Sequence, residues 1–326
     1  MTTQHAAIIN EFGPPSVLSV VTKELPPPAP GEVQLRQTAI GFNFIDIYQR
    51  KGMYPLSLPT GLGFEAAGVV DALGAGVDSV NPGDRVAYMN AGVGAYADRR
   101  NVAADKLVTL PDAISDEAAA TLLFKGMTAQ YLLRKTHAVQ PGELLLIHSA
   151  AGGVGQILTR WATALGATVI GTTGSPKKRQ AALDAGCVAV VDISDDKWPE
   201  AFLDATGGRK ARVVYDAVGK DTLVKSLDCA ALFGLVVSYG AASGKAPAIE
   251  PELLNKKGCL FLTRPSIFPH NADPATFRAN AADFFDALAR GHVKLDIGQR
   301  FTLDQIAEAH TAAEERRASG AILITP

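Results

Sequence analysis

A glycine-rich turn at residues 150–155 is the segment of this chain whose residue types and spacing point most directly to chemistry. Its sequence is Ala-Ala-Gly-Gly-Val-Gly. It follows an apolar run at residues 144–147, predicted to be a strand, and precedes a predicted amphipathic helix at residues 156–165. A further apolar run at residues 167–173 predicts a second strand. A plain tight turn is the alternative, but this strand–turn–helix–strand order is typical of a dinucleotide-binding site.

Three small residues in this turn have separate tasks. Ala150, Gly152 and Gly155 occupy the small positions of the G-x-G-x-x-G arrangement, with alanine in place of the first glycine. Such residues allow a tight turn, close approach of the backbone to a pyrophosphate, and close packing of the helix on the strand. Gly153 and Val154 lie between them, where backbone N–H groups and the positive end of the helix dipole face the phosphates. We therefore predict that residues 150 and 152–155 bind the dinucleotide.

The residues after the second predicted strand indicate which dinucleotide binds. An acid there would accept a hydrogen bond from the ribose 2′-hydroxyl and favour NAD. This chain instead has Thr173 and Ser175, followed by the bases Lys177, Lys178 and Arg179. A hydroxyl and a nearby ammonium attract a 2′-phosphate, so we predict NADPH. The alternative, a solvated helix face, is less favoured because bases in a first helical turn oppose the helix dipole.

Length and composition are those of an ordinary globular enzyme. The 326 residues suffice for two domains, and 47% hydrophobic with 20% charged residues excludes wholesale disorder. The net charge of −2 predicts no nucleic acid as a main partner, and no apolar run predicts a membrane span. Cys187, Cys229 and Cys259 have no short Cys–Cys or Cys–His spacing, so we expect buried thiols in a reducing compartment. These features predict a cytoplasmic protein.

The pattern of apolar runs predicts an α/β fold with two domains. Residues 1–126 carry short β-like runs separated by Pro and Gly, which predicts a β-barrel-like domain. Over residues 127–266 strands alternate with helices, which predicts a doubly wound parallel sheet. We expect residues 267–326 to return to the first domain. Further predicted strands are 33–39, 67–73, 85–88, 189–192, 212–216, 234–240 and 321–325, and further predicted helices are 273–290 and 303–316.

Small and basic residues follow the later predicted strands. Ligands of an open parallel sheet collect at the carboxyl ends of its strands. Gly219 follows one of these strands, and Tyr239, Gly240 and Ser243 follow another. Glycines there let a cofactor lie against the backbone, although ordinary turn chemistry is the alternative. Arg264 is a further candidate to face the dinucleotide.

Several motifs, in their order along the chain, resemble the medium-chain dehydrogenase/reductase superfamily. They are the glycine turn, Asn43-Phe-Ile-Asp46, Gly61-Leu-Gly-Phe-Glu-Ala-Ala-Gly68, Gly83-Asp-Arg-Val86, Lys125-Gly-Met-Thr128, Val214-Tyr-Asp-Ala-Val-Gly219 and Thr263-Arg-Pro-Ser266. Over essentially the whole chain they are similar to its zinc-free quinone oxidoreductase branch, the ζ-crystallin-like NADPH:quinone reductases. The resemblance implies a GroES-like catalytic domain (residues 1–126 and 267–326), a Rossmann domain (residues 127–266), a homodimer, and NADPH bound in the cleft between the domains.

The resemblance also bears on zinc. Zinc-dependent members of the superfamily use thiolate and imidazole ligands to polarise an oxygen atom. In this chain Asn43 stands where the first cysteine is expected, and Phe64 replaces the histidine before Glu65. The cysteine-rich segment that holds a structural zinc is missing as well. We therefore predict no metal site, and a reaction that needs little Lewis-acid help, such as reduction of an electron-poor quinone.

Four catalytic positions are implied by the resemblance: Asn43, Tyr48, Tyr54 and Thr128. Asn43 and Thr128 would hydrogen-bond the cofactor or the acceptor. The two tyrosines would stack on a flat ring or lend a hydroxyl proton. The alternative for Tyr48 and Tyr54 is packing in a β-rich domain with the hydroxyl at the surface.

The resemblance implies a set of cofactor contacts with two departures from the family pattern. The matching positions are Gly153, Val154, Gly155, Ser175, Lys178, Gly240, Ala241, Ser243 and Arg264. Ile193 stands where relatives tend to carry a tyrosine against the 2′-phosphate, which leaves Ser175 and Lys178 to hold that phosphate. Ala241 stands where relatives can have Asn, which removes one side-chain contact.

Two other functions stay open at this stage. An NADPH-dependent enone or 2-alkenal reductase would share the cofactor and differ in its pocket, and a crystallin-like protein would bind NADPH without turnover. Two further motifs do not carry the chemistry. Tyr131 and Lys135 match a Tyr-x-x-x-Lys pair but precede the glycine turn, so we expect ordinary helix residues. His148 has no readable Ser/Asp partners, and we expect a hydrogen-bonded histidine at a strand end.

Overall fold

The computed structural model describes residues 2–294, 296–315 and 320–326, and the chain divides into two compact units. The units are Met1–Lys125 with Ala272–Phe285 and Leu295–Pro326, and Gly126–Asn271 with Asp286–Lys294. Each has its own sheets and core, which confirms the predicted α/β fold class.

The described part of the chain forms the following helices and strands. The strands are β1 (Thr2–Ile9), β2 (Leu18–Leu25), β3 (Glu32–Gly41), β4 (Thr60–Gly61), β5 (Glu65–Leu73), β6 (Arg85–Met89), β7 (Arg99–Ala103), β8 (Leu107–Thr109), β9 (Leu144–Ile147), β10 (Thr168–Thr173), β11 (Ala189–Asp192), β12 (Ala211–Asp216), β13 (Ala230–Ser238), β14 (Phe261–Thr263), β15 (Ile297–Thr302) and β16 (Ala321–Thr325). The helices are α1 (Phe44–Arg50), α2 (Asp116–Tyr131), α3 (Gly153–Ala164), α4 (Arg179–Asp184), α5 (Trp198–Ala205), α6 (Leu223–Cys229), α7 (Pro251–Lys256), α8 (Ile267–His270), α9 (Pro274–Ala289) and α10 (Ile306–Glu314).

The first unit is built on two sheets. The larger has the order β15-β16-β3-β5-β6-β8, with β7 also paired to β3, and the smaller has the order β2-β1-β4. Alternate residues of the strands face the core, among them Leu35, Ile40, Val86 and Ile324, which are fully buried. Helix α1 begins directly after Asn43.

The second unit is a parallel sheet with the order β11-β10-β9-β12-β13-β14, which is the doubly wound order 3-2-1-4-5-6. All five strand pairs are parallel. Strand β9 is buried at all four residues because helices cover both of its faces. Trp198 and Phe202 of α5 belong to this core. The carboxyl ends of all six strands therefore lie along one edge of the sheet.

Some sequence expectations need correction or lie outside the described residues. Cys187 and Cys229 are buried as predicted, but Cys259 is exposed, because it ends a turn after α7 with a φ of 51°. The helix predicted to begin at residue 156 begins at Gly153. The helix predicted over residues 303–316 is a 3-10 turn followed by α10, and its last position, Arg316, lies outside the described residues. Among described residues, no helix has the length and apolarity needed to cross a membrane.

Candidate active site

The turn after β9 is too tight to accept a side chain at its last glycine. A Cβ atom at Gly155 would overlap the carbonyl oxygen of Ser149 and lie 2.9 Å from the Cα of Ala150. Ser149 has a φ of 53°, an uncommon conformation for a residue with a side chain. Gly152 donates its N–H to the Ser149 carbonyl at 2.8 Å, and α3 begins at the next residue. The start of α3 is thus open to an anionic ligand.

Gly171 on β10 explains why the glycine-rich turn tolerates alanine at its first small position, residue 150. Ala150 is fully buried against β10, at the point where that strand carries Gly171. A Cβ atom at Gly171 would lie 2.7 Å from the Cβ of Ala150 and 2.6 Å from the sulfur of Cys187. The missing side chain on β10 therefore provides the space that the extra methyl group on the turn requires.

The turn after β10 carries the residues predicted to select the dinucleotide. Thr173 ends the strand, Ser175 precedes a 3-10 turn, and the Lys178 N–H donates to the Ser175 carbonyl at 3.0 Å. Ile193, after β11, donates its N–H to the Thr173 carbonyl at 3.0 Å, so these two strand ends lie side by side. Lys178 is exposed and its ammonium is available to a ligand phosphate.

Replacing Lys178 with alanine is expected to raise the KM for NADPH about 10- to 100-fold and the KM for NADH less than about twofold. The loss corresponds to one charge-assisted contact with the 2′-phosphate, worth about 1.5–3 kcal/mol. Initial rates with each cofactor measure it. Lys177→Ala, which removes an exposed neighbouring base, is the matched control and should change neither constant by more than about threefold. Equal effects of Lys178→Ala on both cofactors would overturn the assignment.

The turns after β12 and β13 pack against each other without intervening side chains. A Cβ atom at Gly240 would overlap the carbonyl oxygen of Ala217, and one at Gly219 would lie 2.8 Å from the Gly244 carbonyl oxygen. The Ser243 hydroxyl donates to the Val218 carbonyl at 2.9 Å. Tyr239 and Ala241 belong to the same turn. The two turns are therefore in close backbone contact, and a residue larger than glycine at either position would push them apart.

Arg264, after β14, is tied to the turn after β13. Its Nη1 donates to the Ser238 carbonyl at 2.9 Å and lies 3.1 Å from the Gly240 carbonyl oxygen. Its side chain is exposed, so the remaining guanidinium nitrogens can meet an anion. The predicted cofactor residues of the second unit, Thr128 on α2 excepted, thus all lie at strand ends, in the turns that follow them or at the start of the next helix, along one edge of the parallel sheet.

His148 is the hydrogen-bonded strand-end histidine expected, but the expectation that it lacks Ser and Asp partners was wrong. Its Nε2 lies 2.9 Å from the Ser226 hydroxyl, and its Nδ1 lies 2.9 Å from the Thr172 hydroxyl. The Ser226 hydroxyl donates to Asp216, so His148 Nε2 must donate to Ser226 and Nδ1 must accept from Thr172. Burial lowers the pKa of His148 and keeps the ring neutral.

Asp216 is the centre of this buried network. Its carboxylate accepts hydrogen bonds from the N–H groups of Val218 and Gly219 and from the hydroxyls of Thr222 and Ser226, all at 2.8–2.9 Å. A carboxylate that faces only donors holds the turn after β12 in one conformation. The network therefore joins the ends of β9, β10 and β12, and because its side chains are buried it fixes the turns at these strand ends from inside the sheet.

In the first unit, Asn43 lies in a buried charged cluster. Its Nδ2 donates to Glu65 Oε1 at 2.8 Å, and its Oδ1 accepts from Lys125 Nζ at 3.0 Å. Glu65 also accepts the N–H of Phe124 at 2.6 Å, and Lys125 Nζ lies 3.3 Å from Glu65 Oε1. All these partners of Glu65 are donors, as a carboxylate requires. Burial raises the pKa of Glu65 above its ordinary value, and the charge of Lys125 opposes that rise.

The other predicted catalytic residues are divided between the units. Tyr48 and Tyr54 pack edge to face, with ring centroids 5.9 Å apart; Tyr48 is half-buried and Tyr54 is exposed. Burial raises the pKa of Tyr48. Thr128 lies on α2 in the second unit and is buried. The roles of these residues remain predictions.

Asp46, on the first turn of α1, closes the Asn43-Phe-Ile-Asp46 motif, but it was assigned no role from the sequence. Its Oδ2 accepts the Asn43 N–H at 2.9 Å and the Tyr96 hydroxyl at 2.7 Å, which fixes the start of the helix. Burial raises the pKa of Asp46 to about 7, although both hydrogen bonds oppose that rise.

Because the pKa of Asp46 is raised, we expect the free energy of unfolding of the wild-type protein to fall as pH rises, compared with that of Asp46→Asn. Between pH 4 and 7 the folded state holds a proton that the unfolded state has lost. The free energy of unfolding therefore decreases by about 1.4 kcal/mol per pH unit. Urea unfolding of both proteins at pH 5 and pH 7 measures it. A constant difference between the two proteins at both pH values would contradict the prediction.

Comparisons with known proteins agree with this architecture. Residues 29–141 match the alcohol dehydrogenase GroES-like domain, and residues 153–285 match the zinc-binding dehydrogenase domain. The chain is 47% identical to the quinone oxidoreductase of Salmonella typhimurium, over 97% of this chain and 98% of the relative. It belongs to the quinone oxidoreductase family. A 2-haloacrylate reductase from Burkholderia sp is 40% identical over 98% of both chains. The crystal structure of Escherichia coli quinone oxidoreductase complexed with NADPH superposes with a TM-score of 0.95, at 43% identity and complete coverage of both chains.

One matched domain is described as zinc-binding. The donor atoms of this quinone oxidoreductase family member show whether a zinc ion would fit. The Asn43 side chain donates a hydrogen bond to Glu65, and the positive charge of Lys125 lies beside both. Phe64 offers no donor atom. Among the residues that the structure describes, no group of three His, Cys, Asp or Glu side chains is arranged to hold a metal ion. These residues do not fit a zinc ion, because an ammonium repels the cation that the carboxylate would bind.

Proposed function

We propose that this protein reduces quinones by hydride transfer from NADPH, without a metal ion. The observation that carries the proposal is that the glycine-containing turns of the second unit, Lys178 and Arg264 all follow strands whose carboxyl ends lie at one edge of the parallel sheet, together with full-length similarity to quinone oxidoreductases. The relative crystallised with NADPH supports the choice of cofactor. Gly155 and Gly240 support the proposal in another way: an added Cβ atom would strike the backbone of Ser149 or Ala217, so glycine is what allows these turns to fold tightly at the sheet edge.

The second unit's residues would hold the cofactor by its phosphates and its adenosine end. The start of α3, with Gly152, Gly153, Val154 and Gly155 after Ala150, would take the pyrophosphate. A second group would surround the 2′-phosphate and the ribose: Thr173, Ser175, Lys178 and Ile193. A third group, in the later turns, would lie along the rest of the ligand: Gly219, Tyr239, Gly240, Ala241, Ser243 and Arg264. NADPH, when bound, supplies the hydride.

Four residues would act on the acceptor and the nicotinamide end. Asn43 and Thr128 would hydrogen-bond them, and Tyr48 and Tyr54 would stack on a flat acceptor ring. Their edge-to-face packing supports the stacking role, since it gives Tyr48 a fixed plane and leaves Tyr54 exposed. Negative charge formed on the quinone oxygen would be met by a neutral hydrogen-bond donor.

Reduction of activated alkenes is a second candidate function. The 40% identity to a 2-haloacrylate reductase over 98% of both chains favours it specifically. A panel containing 1,4-benzoquinone, a simple enone and 2-chloroacrylate, with products identified by mass spectrometry, separates the two functions. Hydroquinone as the dominant product supports quinone reduction, and a saturated product only would move the protein to the alkene reductases. Tight NADPH binding without turnover of any acceptor would favour a binding role.

The assembly that we propose is a homodimer formed through β14, in the cytoplasm. Strand β14 ends the parallel sheet, pairing only with β13 among the described strands, so its outer edge offers unpaired backbone groups. Its Phe261 is 61% exposed, and Leu232 and Phe233 beside it are 66% and 54% exposed. A cavity of about 490 Å³ also opens next to this strand, lined in part by Arg212 and His270. A second copy with the same edge would cover this apolar surface.

Phe261→Glu is expected to weaken the dimer about 100-fold or more, since it removes a buried aromatic contact and buries a charge in its place. Sedimentation equilibrium at micromolar concentration measures the change. Val188→Glu is the matched control, because Val188 is 65% exposed near the opposite edge strand, and it should leave the association unchanged. A monomeric wild type, or equal effects of both variants, would overturn the proposed interface.

A further inference from the structure

The side-chain amide of Asn43 has only one favourable orientation. Its nitrogen faces the Glu65 carboxylate at 2.8 Å and its oxygen faces the Lys125 ammonium at 3.0 Å. A flipped amide would put N–H groups against the ammonium and the carbonyl oxygen against the carboxylate. Both contacts would then be repulsive, so the flipped state is excluded by the charges on either side.

The two charged groups are themselves immobile. Lys125 Nζ lies 3.0 Å from the carbonyl oxygens of Phe42 and Thr121. The second oxygen of Glu65 accepts the Phe124 N–H at 2.6 Å. On the side of β3, a Cβ atom at Gly41 would lie 2.5 Å from Glu65 Oε1, so the strand backbone confines the carboxylate. The orientation of Asn43 is therefore imposed by fixed groups in the same unit.

We infer that Glu65 and Lys125 are positioning residues for the reaction: they hold Asn43 so that its second amide N–H, and not its carbonyl oxygen, is the group offered to the acceptor. The inference rests on the proposed function, in which Asn43 contacts the reacting molecules. A donor suits an acceptor oxygen that gains negative charge, whereas a carbonyl oxygen would repel it. The charges of Glu65 and Lys125 cancel, so the donor is neutral and fixed.

An exchange of the two interacting groups tests this inference. Asn43→Asp combined with Glu65→Gln keeps the net charge and loses one contact, the 3.3 Å hydrogen bond from Lys125 Nζ to Oε1 of residue 65, while Lys125 keeps the carbonyl oxygens of Phe42 and Thr121. The amide introduced at position 65 can accept the Phe124 N–H with its oxygen and donate with its nitrogen to the carboxylate introduced at position 43. That carboxylate still faces Lys125. The bond between positions 43 and 65 is reversed in direction, and the N–H offered by position 43 is lost. Asn43→Asp alone, which places two carboxylates together, is the comparison variant.

We expect the exchange to restore the melting temperature lost in Asn43→Asp to within a few degrees of wild type. With NADPH and 1,4-benzoquinone, kcat of the exchanged protein should still be about 100-fold below wild type, the usual loss for one fixed donor. Wild-type kcat in the exchanged protein would show a purely structural role and overturn the inference while leaving quinone reduction intact. Absence of wild-type turnover would instead overturn the proposed function.

Discussion

Replacing Glu65 with alanine will destabilise the folded protein by about 3–5 kcal/mol. The change leaves the Lys125 ammonium buried beside Asn43 without its counter-charge, and an uncompensated buried charge costs about that much. It also removes the acceptor of the Asn43 Nδ2 and Phe124 N–H groups, and a buried donor that loses its acceptor adds to the cost. Urea unfolding at pH 7, followed by far-UV circular dichroism, measures the loss.

Glu117→Ala is the matched control for this variant. Glu117 also pairs with a base, accepting two hydrogen bonds from Arg300 at 2.6 and 2.7 Å, but this pair is exposed to solvent. Exposed ion pairs contribute about 0–1 kcal/mol, so the control should lose no more than that. If both variants lost the same free energy, the Glu65 cluster would not be the buried ion pair described above.

Replacing Gly155 with alanine is expected to weaken NADPH binding about 100-fold or more. The added methyl group overlaps the Ser149 carbonyl oxygen, which is backbone and can yield only if the whole turn moves. That movement would displace the start of α3, where the pyrophosphate is proposed to bind, and overpacking would cost about 1–3 kcal/mol of stability. Fluorescence titration of reduced cofactor measures the dissociation constant.

The control for Gly155→Ala is Gly174→Ala, in the next turn of the same sheet edge. A Cβ atom there would meet only the Cγ1 of Ile193 at 3.8 Å, an ordinary contact. It should therefore retain stability and bind NADPH within about threefold of wild type. If Gly155→Ala bound NADPH with wild-type affinity, the glycine-rich turn at residues 150–155 would not be the phosphate site.

The local pattern of apolar runs and turn residues was enough to predict the parallel sheet of the second unit. The predicted bounds of β9 and β11 are those observed, because strands buried on both faces appear as continuous apolar runs between turn residues, and the predicted bounds of β16 in the first unit are also those observed. The turns that follow the strands were predictable for the same reason, since the order of strands alone places their carboxyl ends at one edge. The domain boundaries and the roles of the individual site residues remain predictions.

The buried polar clusters could not be predicted, because their members are distant in sequence and ordinary in type. No residue near His148 in the sequence indicates contact with Ser226, and none near Glu65 indicates contact with Lys125. Only the packed fold brings these residues together. One signal was available and overlooked. Gly171 within the predicted strand indicates close approach of another chain segment, and Ala150 is that segment. The exposure of Cys259 could not be predicted either, because it depends on the direction of a turn that the sequence does not specify.

The measurement that tests the central claim most directly is the fall in reduced-cofactor absorbance when purified protein is mixed with 1,4-benzoquinone. NADPH and NADH are compared, with and without a metal chelator. We predict rapid turnover with NADPH, a clear preference over NADH because of Lys178, and no effect of the chelator. Turnover that requires a metal, or none with NADPH at saturating quinone, would contradict the account.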